Sequence, residues 1–560
     1  MTERTYEDYL NAVRSTEITK ELKSALSRIS EFEKALSMAV AQTKAENHRI
    51  FNLSDYDTDG IMSALILNQV YDIDKTVIAD RYNDGYGIPN DLSFLQEGDL
   101  VILSDIGSDS IDKLKEICER TKTTPFVIDH HEQSTELKGY LTGNDTVKPL
   151  VLNFYDGSCE KDKEPDYCSA GLCYRMALAN GNLSYRQKQL VCTYAMNGTI
   201  GDVVKVNSPY DTNREDIQKG FKTIENLEAG FEPRYGYLLH ATGLTKMPHM
   251  TTESVQFNLS PVTTLGKRME AMDGVKCNVG QKIFDMLKPD KDWETNSVIK
   301  EEYHKNAKKL IDLNAQRKKE VKSFEGKPFR DFISKFSGNI AIYKDPKKDI
   351  PMGYVGLIAM DLTKQLKVPS LVFTVDSNGD YVASGRNAEG YPDILKSCSN
   401  EYVKHIGGHT DAFGVTVSKE NLEKYIKAVT ETYSNIAKKE VEKTVLKAED
   451  LKNLTINKLI ALEPFGTDFP KIEADTVITV GSKTGKEWNT VTNADTKDKT
   501  RYFGLNINGN ENDTVRVKGT VSVNYFAGVE SIQMSVSESA VEKPKDLAED
   551  KETENDEIER

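Results

Sequence analysis

Three aspartates stand close together in the segment Asp55-Tyr56-Asp57-Thr58-Asp59-Gly60. The apolar run before them predicts a buried strand, and the apolar run after them predicts a helix. In an open α/β sheet, ligands bind in the crevice outside the carboxyl ends of the strands. Because side chains two residues apart on an extended segment point the same way, we expect Asp57 and Asp59 to converge on one point.

Carboxylates this close repel one another unless a cation neutralises them. Hard oxygen ligands suit Mg²⁺ or Mn²⁺, so the segment predicts a metal site. Aspartate is also favoured in Asx turns and at helix N-caps. For this segment taken alone, that second explanation stays open.

Polar side chains recur at the ends of the predicted elements that follow. A strand at 100–103 ends in Ser104-Asp105, and a strand at 126–128 ends in Asp129-His130-His131. A helix over 188–196 is predicted to end just before Asn197-Gly198-Thr199-Ile200-Gly201-Asp202. This series on one edge of a sheet indicates a centre for two metal ions. Since adjacent residues on an extended segment point to opposite sides, we expect only one of the two histidines to bind each metal directly.

The composition bounds the class of protein. Of 560 residues 38% are hydrophobic, which is enough for a sizeable core. We expect no membrane span, because no apolar run reaches about 18 residues, and no secretory signal. The seven cysteines form no C-x-x-C pair, which favours reduced thiols in a cytoplasm. The net charge of −15 argues against a non-specific binder of polyanions.

Strand-like and helix-like runs alternate over residues 50–235 and again over 331–445, a pattern typical of βαβ units. Residues 471–540 contain short strand runs that suit an OB-like barrel. The predicted fold class is therefore α/β, with a parallel-sheet lobe and a smaller α/β lobe joined by a long helix, followed by a C-terminal OB-like β-barrel. The predicted segments are 1–49 (helical), 50–235 (catalytic), 236–330 (helical linker), 331–445 (substrate-binding), 446–470 (connecting), 471–540 (nucleic-acid-binding barrel) and 541–560 (disordered acidic tail). The long polar helix over 296–324 is expected to be stopped by Pro328.

The four acidic segments, in this order, resemble the four motifs of the DHH phosphoesterase superfamily. Arg81-Tyr82-Asn83-Asp84-Gly85-Tyr86-Gly87 and the Pro-Phe-Gly at 464–466 resemble segments of RecJ-type exonucleases. Residues 257–269 resemble a RecJ segment that usually reads Pro-Arg-x-Asn-Ala-x-Gly-Arg, with Val262 in place of the first arginine and Thr264 in place of the asparagine. The order Gly353-x-x-Gly356, Ser384-x-Arg386, Gly407-Gly408-His409 resembles the DHHA1 lobe.

The resemblance implies a role for each metal-site residue. Asp57 would hold one Mn²⁺ or Mg²⁺ ion and Asp59 the other, with Asp105 bridging them. His130 and Asp202 would complete the second site. Asp129 would orient His130, and His131 would contact the scissile phosphate.

It also implies a substrate pocket. Arg81, Ser384 and Arg386 would bind a terminal 5′ phosphate, and His409, beside Gly407 and Gly408, would contact the phosphate next to the cut. A narrow channel between the lobes would admit one strand and exclude a duplex.

The activity implied is that of a metal-dependent, single-stranded-DNA-specific 5′→3′ exonuclease that releases mononucleotides in DNA recombination, repair or replication. We expect it in the cytoplasm of a bacterium or of a bacteriophage-infected cell, bound to single-stranded DNA or RNA oligonucleotides and to replication or repair proteins. One alternative is an oligoribonuclease or cyclic-dinucleotide phosphodiesterase, although such chains usually lack the β-rich part after Pro470. The other is a catalytically silent RecJ relative that acts as a replication scaffold, although every metal-site residue is present here.

Overall fold

The computed structural model describes residues 2–13, 18–157, 160–295, 300–344, 350–376, 378–398, 400–408, 411–439, 444–485, 488–494, 500–505 and 507–541. His409 and nearly all of the predicted acidic tail lie outside the described residues. Within that part of the chain, no helix is both long and apolar enough to cross a membrane.

The strands of the described residues are numbered in chain order. They are β1 (Thr2–Arg4), β2 (Ile50–Ser54), β3 (Lys75–Ile78), β4 (Leu100–Ser104), β5 (Phe126–Ile128), β6 (Leu150–Leu152), β7 (Ala271–Met272), β8 (Val275–Lys276), β9 (Ala341–Lys344), β10 (Ser370–Val375), β11 (Tyr381–Arg386), β12 (Val403–Gly408), β13 (Ala412–Val417), β14 (Thr444–Leu446), β15 (Glu473–Thr484), β16 (Trp488–Asn493), β17 (Arg501–Leu505), β18 (Thr514–Phe526) and β19 (Val529–Val541).

The α-helices are numbered in the same way. They are α1 (Tyr6–Ala12), α2 (Lys20–Ala45), α3 (Thr58–Val70), α4 (Ile111–Thr121), α5 (Thr135–Thr142), α6 (Ser169–Asn180), α7 (Tyr185–Asp202), α8 (Asn213–Glu225), α9 (Pro233–Ala241), α10 (Thr252–Asn258), α11 (Ser260–Thr263), α12 (Leu265–Arg268), α13 (Val279–Leu287), α14 (Glu301–Phe324), α15 (Lys327–Lys335), α16 (Met352–Leu366), α17 (Leu422–Ser434), α18 (Ala448–Lys452) and α19 (Ile456–Leu462).

The chain divides into two compact units. One comprises Met1–Arg14, Met247–Thr251 and Glu442–Arg560, and the other comprises Ser15–Lys246 and Thr252–Val441. The second unit contains both α/β sheets, and the first contains the barrel.

The first sheet of the larger unit has the strand order β3-β2-β4-β5-β6, with every neighbouring pair parallel. Every residue of β2 and β4 is buried, as expected for strands covered by helices on both faces. The parallel sheet predicted from the alternating pattern is confirmed. Within the sheet, β3 lies next to β2 toward one edge, and β4 lies next to β2 toward the opposite edge. The strand order therefore reverses at β2. The switch point of the sheet, where ligands bind in such folds, therefore lies between β2 and β4.

The second sheet of this unit has the order β12-β13-β11-β10-β9, in which only β9 and β10 are parallel among the neighbouring pairs. The helix α14 precedes it. This helix ends at Phe324, before Pro328, and Pro328 lies in the first turn of α15 instead. The prediction that Pro328 stops the long helix is therefore wrong, because proline at a first helical turn loses no hydrogen bond and favours a helix start.

The N-terminal segment differs in part from the helix predicted over 1–49. The helix α2 buries apolar side chains that recur at helical spacing, including Leu22, Ile29 and Leu36. Thr2–Arg4, however, is a strand that pairs in parallel with β14. A pairing across more than 400 residues leaves no local pattern, and for this reason periodicity missed it.

The predicted C-terminal barrel is confirmed. Its strands follow the order β15-β16-β17-β19-β18, and pairing of β15 with β18 closes the ring. The pair β17–β19 is parallel, whereas its neighbours in the ring are antiparallel. The alternating side chains of β18 place Val515, Val517 and Val521 in the interior.

Candidate active site

The carboxylates that follow three neighbouring strands meet at one edge of the first sheet. Asp55 follows β2, Asp105 follows β4 and Asp129 follows β5, and each backbone N–H continues the ladder to the next strand. Asp55 and Asp105 thus flank the switch point of the sheet. Asp105 adopts a left-handed backbone with φ of 64°, a conformation that aspartate tolerates better than most residues. These carboxylates therefore lie at the edge of the sheet where the sequence predicts a ligand site.

Asp57 and Asp59 do not lie on an extended segment, so that expectation is wrong. Asp57 is the N-cap of α3, and its Oδ1 accepts the N–H of Asp59 at 3.0 Å. Asp59 lies within the first helical turn, where the period is 3.6 rather than two. Its two carboxylate oxygens accept the backbone N–H groups of Ser169 and Ala170 at 2.8 and 2.9 Å, at the start of α6.

Two groups of possible metal ligands share Asp105. One contains Asp55, Asp57 and Asp105, and the other contains Asp105, His130 and His131; within each group the ligand atoms lie within 4.8 Å of one another. We call these five residues together the acidic centre. The ring centroids of His130 and His131 are 4.5 Å apart. The expectation that the two histidines diverge is therefore wrong, because β5 ends at Ile128 and the pair lies beyond the pleated strand.

Asp202 and Asp59 border the same centre. The His130 Nε2 atom lies 3.4 Å from a carboxylate oxygen of Asp105, 3.5 Å from one of Asp202 and 3.7 Å from one of Asp59. The helix α7 does not end before Asn197 as predicted; it continues to Asp202. Glycine is needed in that helix at Gly198, where a Cβ atom would lie 2.4 Å from the Ala170 side chain and 2.9 Å from Asp59.

Burial and like charge disturb the ionisation of this centre. Burial, aided by the negative charge of Asp57, raises the pKa of Asp55 to about 7. Burial likewise raises the pKa of Asp202 to about 7, and burial with the charge of Asp59 raises that of Asp105 well above its usual range. For His130, burial lowers the pKa, but the surrounding carboxylates outweigh burial and raise it.

The donor set fits Mn²⁺ or Mg²⁺. The buried Oδ1 of Asp55 and Oδ2 of Asp202 accept no hydrogen bond within the described part of the chain. A buried carboxylate oxygen without a donor is unfavourable unless a cation or water satisfies it. Carboxylate oxygens, which are most of the donors here, suit Mg²⁺ and Mn²⁺, and imidazole nitrogens are donors to transition-metal ions.

Asp129 contacts a different histidine from the one expected. Its Oδ1 lies 2.8 Å from Nδ1 of His131, and its Oδ2 accepts the N–H of Ser108 at 2.9 Å. From His130 it accepts the backbone N–H, at 2.8 Å. Burial raises the pKa of Asp129, but the charge and hydrogen bond of His131 lower it well below its usual value. Asp129 therefore orients the ring of His131, not that of His130.

A second charged cluster has the opposite sign. We call Arg81, Arg268 and Arg386, with Ser384, the arginine cluster. Arg386 donates to the Ser384 hydroxyl at 2.7 Å. A Cβ atom on Gly356 in α16 would lie 2.8 Å from Arg386, 3.2 Å from Ser384 and 3.8 Å from Arg268, so glycine leaves room where these side chains meet.

The arginine cluster contains no carboxylate. Among the described residues, none of its three arginines forms an ion pair with an acidic side chain. Burial, then the charges of Arg81 and Arg386, lowers the pKa of Arg268 to about 9, and burial lowers that of Arg386 to about 10. Half-buried cations that have no acidic partner among the described residues indicate a site for an anion.

Sequence reasoning missed two residues of these sites. One is Asp55, which follows β2 directly, so the rule that ligands bind at strand ends is a signal that could have found it. The other is Arg268, which lies in the 257–269 segment and which only the folded chain brings to Arg386. Gly407 and Gly408 end β12, and His409 lies outside the described residues.

Known proteins share this fold. The family model described as the DHH family, N-terminal domain, matches residues 49–199. No curated protein sequence matches the chain. A solved structure of RecJ from Thermus thermophilus in complex with Mn²⁺ has a TM-score of 0.66 and 17% identity, covering 95% of this chain and 74% of that one. The same protein in complex with Mg²⁺ has a TM-score of 0.61 and 16% identity, covering 94% and 72%.

A further structure, described as exonuclease RecJ bound to manganese, has a TM-score of 0.53 and 19% identity, covering 73% of this chain and 95% of that one. Likeness at such low identity shows the fold alone, which is similar to that of RecJ. Residues 49–199 thus match the DHH family, N-terminal domain, within a chain whose fold is RecJ-like.

Proposed function

We propose that the protein is a metal-dependent phosphodiesterase that removes nucleotides from the 5′ end of single-stranded DNA. One observation carries the proposal: two adjacent residues of α12 reach the two charged clusters. Lys267 Nζ donates to Asp57 of the acidic centre at 2.9 Å, and Arg268 belongs to the arginine cluster. A site for divalent cations and a site for an anion are thus neighbours, as a substrate with a terminal phosphate beside a phosphodiester requires.

The metal ligands we propose are Asp55, Asp57 and Asp105 on one side and Asp105, His130 and Asp202 on the other. Asp105 belongs to both sides because its carboxylate is common to both ligand groups. Asp59 is assigned a positioning role, because α6 already engages both of its oxygens. Divalent ions bound there would activate water and neutralise charge on the phosphoryl oxygens.

Other residues of the chain act on the substrate directly. His131, oriented by Asp129, would face the scissile phosphate and donate a hydrogen bond to it. Arg81, Ser384, Arg386 and the added Arg268 would bind the terminal phosphate, with the guanidinium groups forming paired hydrogen bonds. This pocket explains why cleavage would start at a phosphorylated end.

We propose the barrel as a binding surface for the same single strand. We also propose that the seven segments predicted from the sequence are the domains and linkers of the protein. Five-stranded barrels of this kind bind oligonucleotides through strand faces and loops. The solved RecJ structures that hold Mn²⁺ or Mg²⁺ support the choice of ions. We place the protein in the cytoplasm of a bacterium or of a bacteriophage-infected cell, in DNA repair or recombination; the described cysteines, all free thiols, agree with a reducing compartment.

The direct test is degradation of single-stranded DNA labelled at either end. With Mn²⁺, a 5′ label should appear at once in mononucleotides, whereas a 3′ label should remain on shortening strands until late. A chelator should stop both processes. Asp105→Asn should abolish activity, while Asp109→Asn, an exposed aspartate four residues away, should not. Cleavage of dinucleotides alone would favour the small-substrate alternative, and no metal-dependent cleavage of either substrate would refute the proposal.

A further inference from the structure

Lys267 holds an oxygen that the proposed metal site needs. Its Nζ lies 2.9 Å from Oδ2 of Asp57. Asp57, Asp55 and Asp105 together form one of the two groups of possible metal ligands. An ammonium group and a divalent cation are both attracted to the same carboxylate oxygen, and each repels the other.

The fold fixes Lys267 at this place. The residue before it, Gly266, packs so closely on the acidic segment that a Cβ atom would lie 2.5 Å from the carbonyl oxygen of Tyr56, between Asp55 and Asp57. On its other flank Arg268 donates to the carbonyl oxygen of Gly353 at 3.3 Å. The helix α12 is thus held on both sides, and its lysine projects over Asp57.

The two sides of the acidic centre differ in this respect. Asp105 forms ion pairs only with His130 and His131 among the described residues, at 3.4 and 3.9 Å. Asp57 on one side pairs with a lysine, whereas Asp202 on the other side pairs, among the described residues, only with His130, at 3.5 Å; each has 16% of its side chain accessible. The two sides therefore differ in the cation that already contacts the carboxylate, an ammonium group on one and an imidazole on the other.

We propose that Lys267 makes the two metal sites unequal, by competing for Asp57 so that the Asp55–Asp57 side binds its divalent ion more weakly than the His130–Asp202 side. The inference rests on the proposed two-ion centre. Filling the weaker side requires the ammonium group to leave Asp57, so this side would respond to the concentration of free metal while the other stays filled. Lys267 is in this account a residue that sets affinity and does not act on the substrate.

The test is titration of chelator-treated protein with Mn²⁺, read by calorimetry and by the electron paramagnetic resonance signal of free Mn²⁺. The wild type should show a tight and a weak class of sites. Lys267→Met should tighten the weak class by about tenfold or more, the size expected for loss of a hydrogen bond to a charged group, and leave the tight class unchanged. Lys267→Arg, which keeps the charge, should retain the weak class. Lys276→Met, an exposed lysine nearby, is the matched control.

Equal affinities in the wild type, or a weak class that Lys267→Met leaves within twofold, would overturn the inference. Should Lys267→Met fail to fold, Lys267→Gln supplies the same comparison. The proposed function fails on a different result. It would fail if the wild type bound no Mn²⁺, or if Asp105→Asn left the bound Mn²⁺ unchanged. Bound Mn²⁺ that depends on Asp105 but not on Lys267 would leave the metal centre standing and reject only the role of the lysine.

Discussion

The acidic centre and the arginine cluster pose the same physical problem with opposite signs. In each, like charges are brought together and withdrawn from water. The pKa of Asp55 rises to about 7 as that of Arg268 falls to about 9, and in both cases burial is the larger cause and like charge the smaller. At Asp55 and at Arg268 the surroundings therefore disfavour the charged form, which is why each cluster calls for a ligand of the opposite sign.

The two clusters differ in how the chain builds them. The residues of the acidic centre follow strands that are parallel neighbours in one sheet, so they occur in short local motifs. The arginine cluster joins residues from the loop after β3, from α12 and from β11. Short local motifs in the sequence therefore predict the proposed cation site, whereas the proposed anion site is recognised only after distant segments come together in the fold.

The largest expected effect is on the carboxylate that both ligand groups share. Asp105→Asn should reduce Mn²⁺-dependent nuclease activity roughly a thousandfold, because the charge stabilisation supplied by bound ions amounts to several kcal/mol. Single-turnover rates on 5′-phosphorylated single-stranded DNA measure the loss. An Asp105→Asn protein that retained more than about a tenth of the rate would remove the acidic centre from the account.

The arginine cluster predicts a smaller, end-specific effect. Arg386→Met should weaken binding of 5′-phosphorylated single-stranded DNA by roughly 10–100-fold, the value of a charge-assisted hydrogen bond. Binding of the same strand with a 5′ hydroxyl should change little. Filter binding in Ca²⁺ of both substrates measures the ratio, with Arg330→Met, an exposed arginine of α15, as control. An equal loss on both substrates would mean that Arg386 does not recognise the terminal phosphate.

Two neighbouring aspartates sharpen the comparison within the acidic centre. Asp55→Asn should lower Mn²⁺ affinity about tenfold or more, since it removes a proposed ligand. Asp59→Asn should instead lower the free energy of unfolding by about 1–3 kcal/mol, because an amide offers one acceptor where Ser169 and Ala170 need two. Calorimetric titration and urea unfolding separate the two effects, and the reverse pattern would restore Asp59 as the ligand.

Glu232 provides a reference for burial without a cluster. Burial raises its pKa to about 7, although the N–H groups of Tyr235 and Arg234 lower it in part. The pKa of Glu232 in the folded protein lies above its usual value of 4.5. The contribution of this group to the free energy of unfolding is therefore fully present below pH 4.5 and is lost as the pH rises toward 7. Between pH 5 and pH 8 the free energy of unfolding of the wild type should fall by roughly 2 kcal/mol more than that of Glu232→Gln. Parallel urea unfolding curves for the two proteins at both pH values would contradict this.

Much of this molecule follows from sequence, and the failures have physical reasons. The parallel sheet and the barrel were predicted because buried apolar runs and alternating strands are local signals. The prediction that Asp57 and Asp59 share an extended segment fails because α3 starts at Thr58, so Asp59 is already helical. The prediction that His130 and His131 diverge fails because β5 ends at Ile128, before both residues. Arg268 and the pairing of β1 with β14 depend on contacts between distant segments, which a pattern in one stretch does not contain.

The most direct test of the proposed metal centre is a crystal structure grown with Mn²⁺, with anomalous scattering recorded at the manganese edge. We expect peaks at about 2–2.5 Å from carboxylate oxygens of Asp105, one of them also beside His130 and one beside Asp55 and Asp57. Manganese bound elsewhere, with Asp105 in contact with none of it, would contradict the central claim that these strand ends form a metal centre.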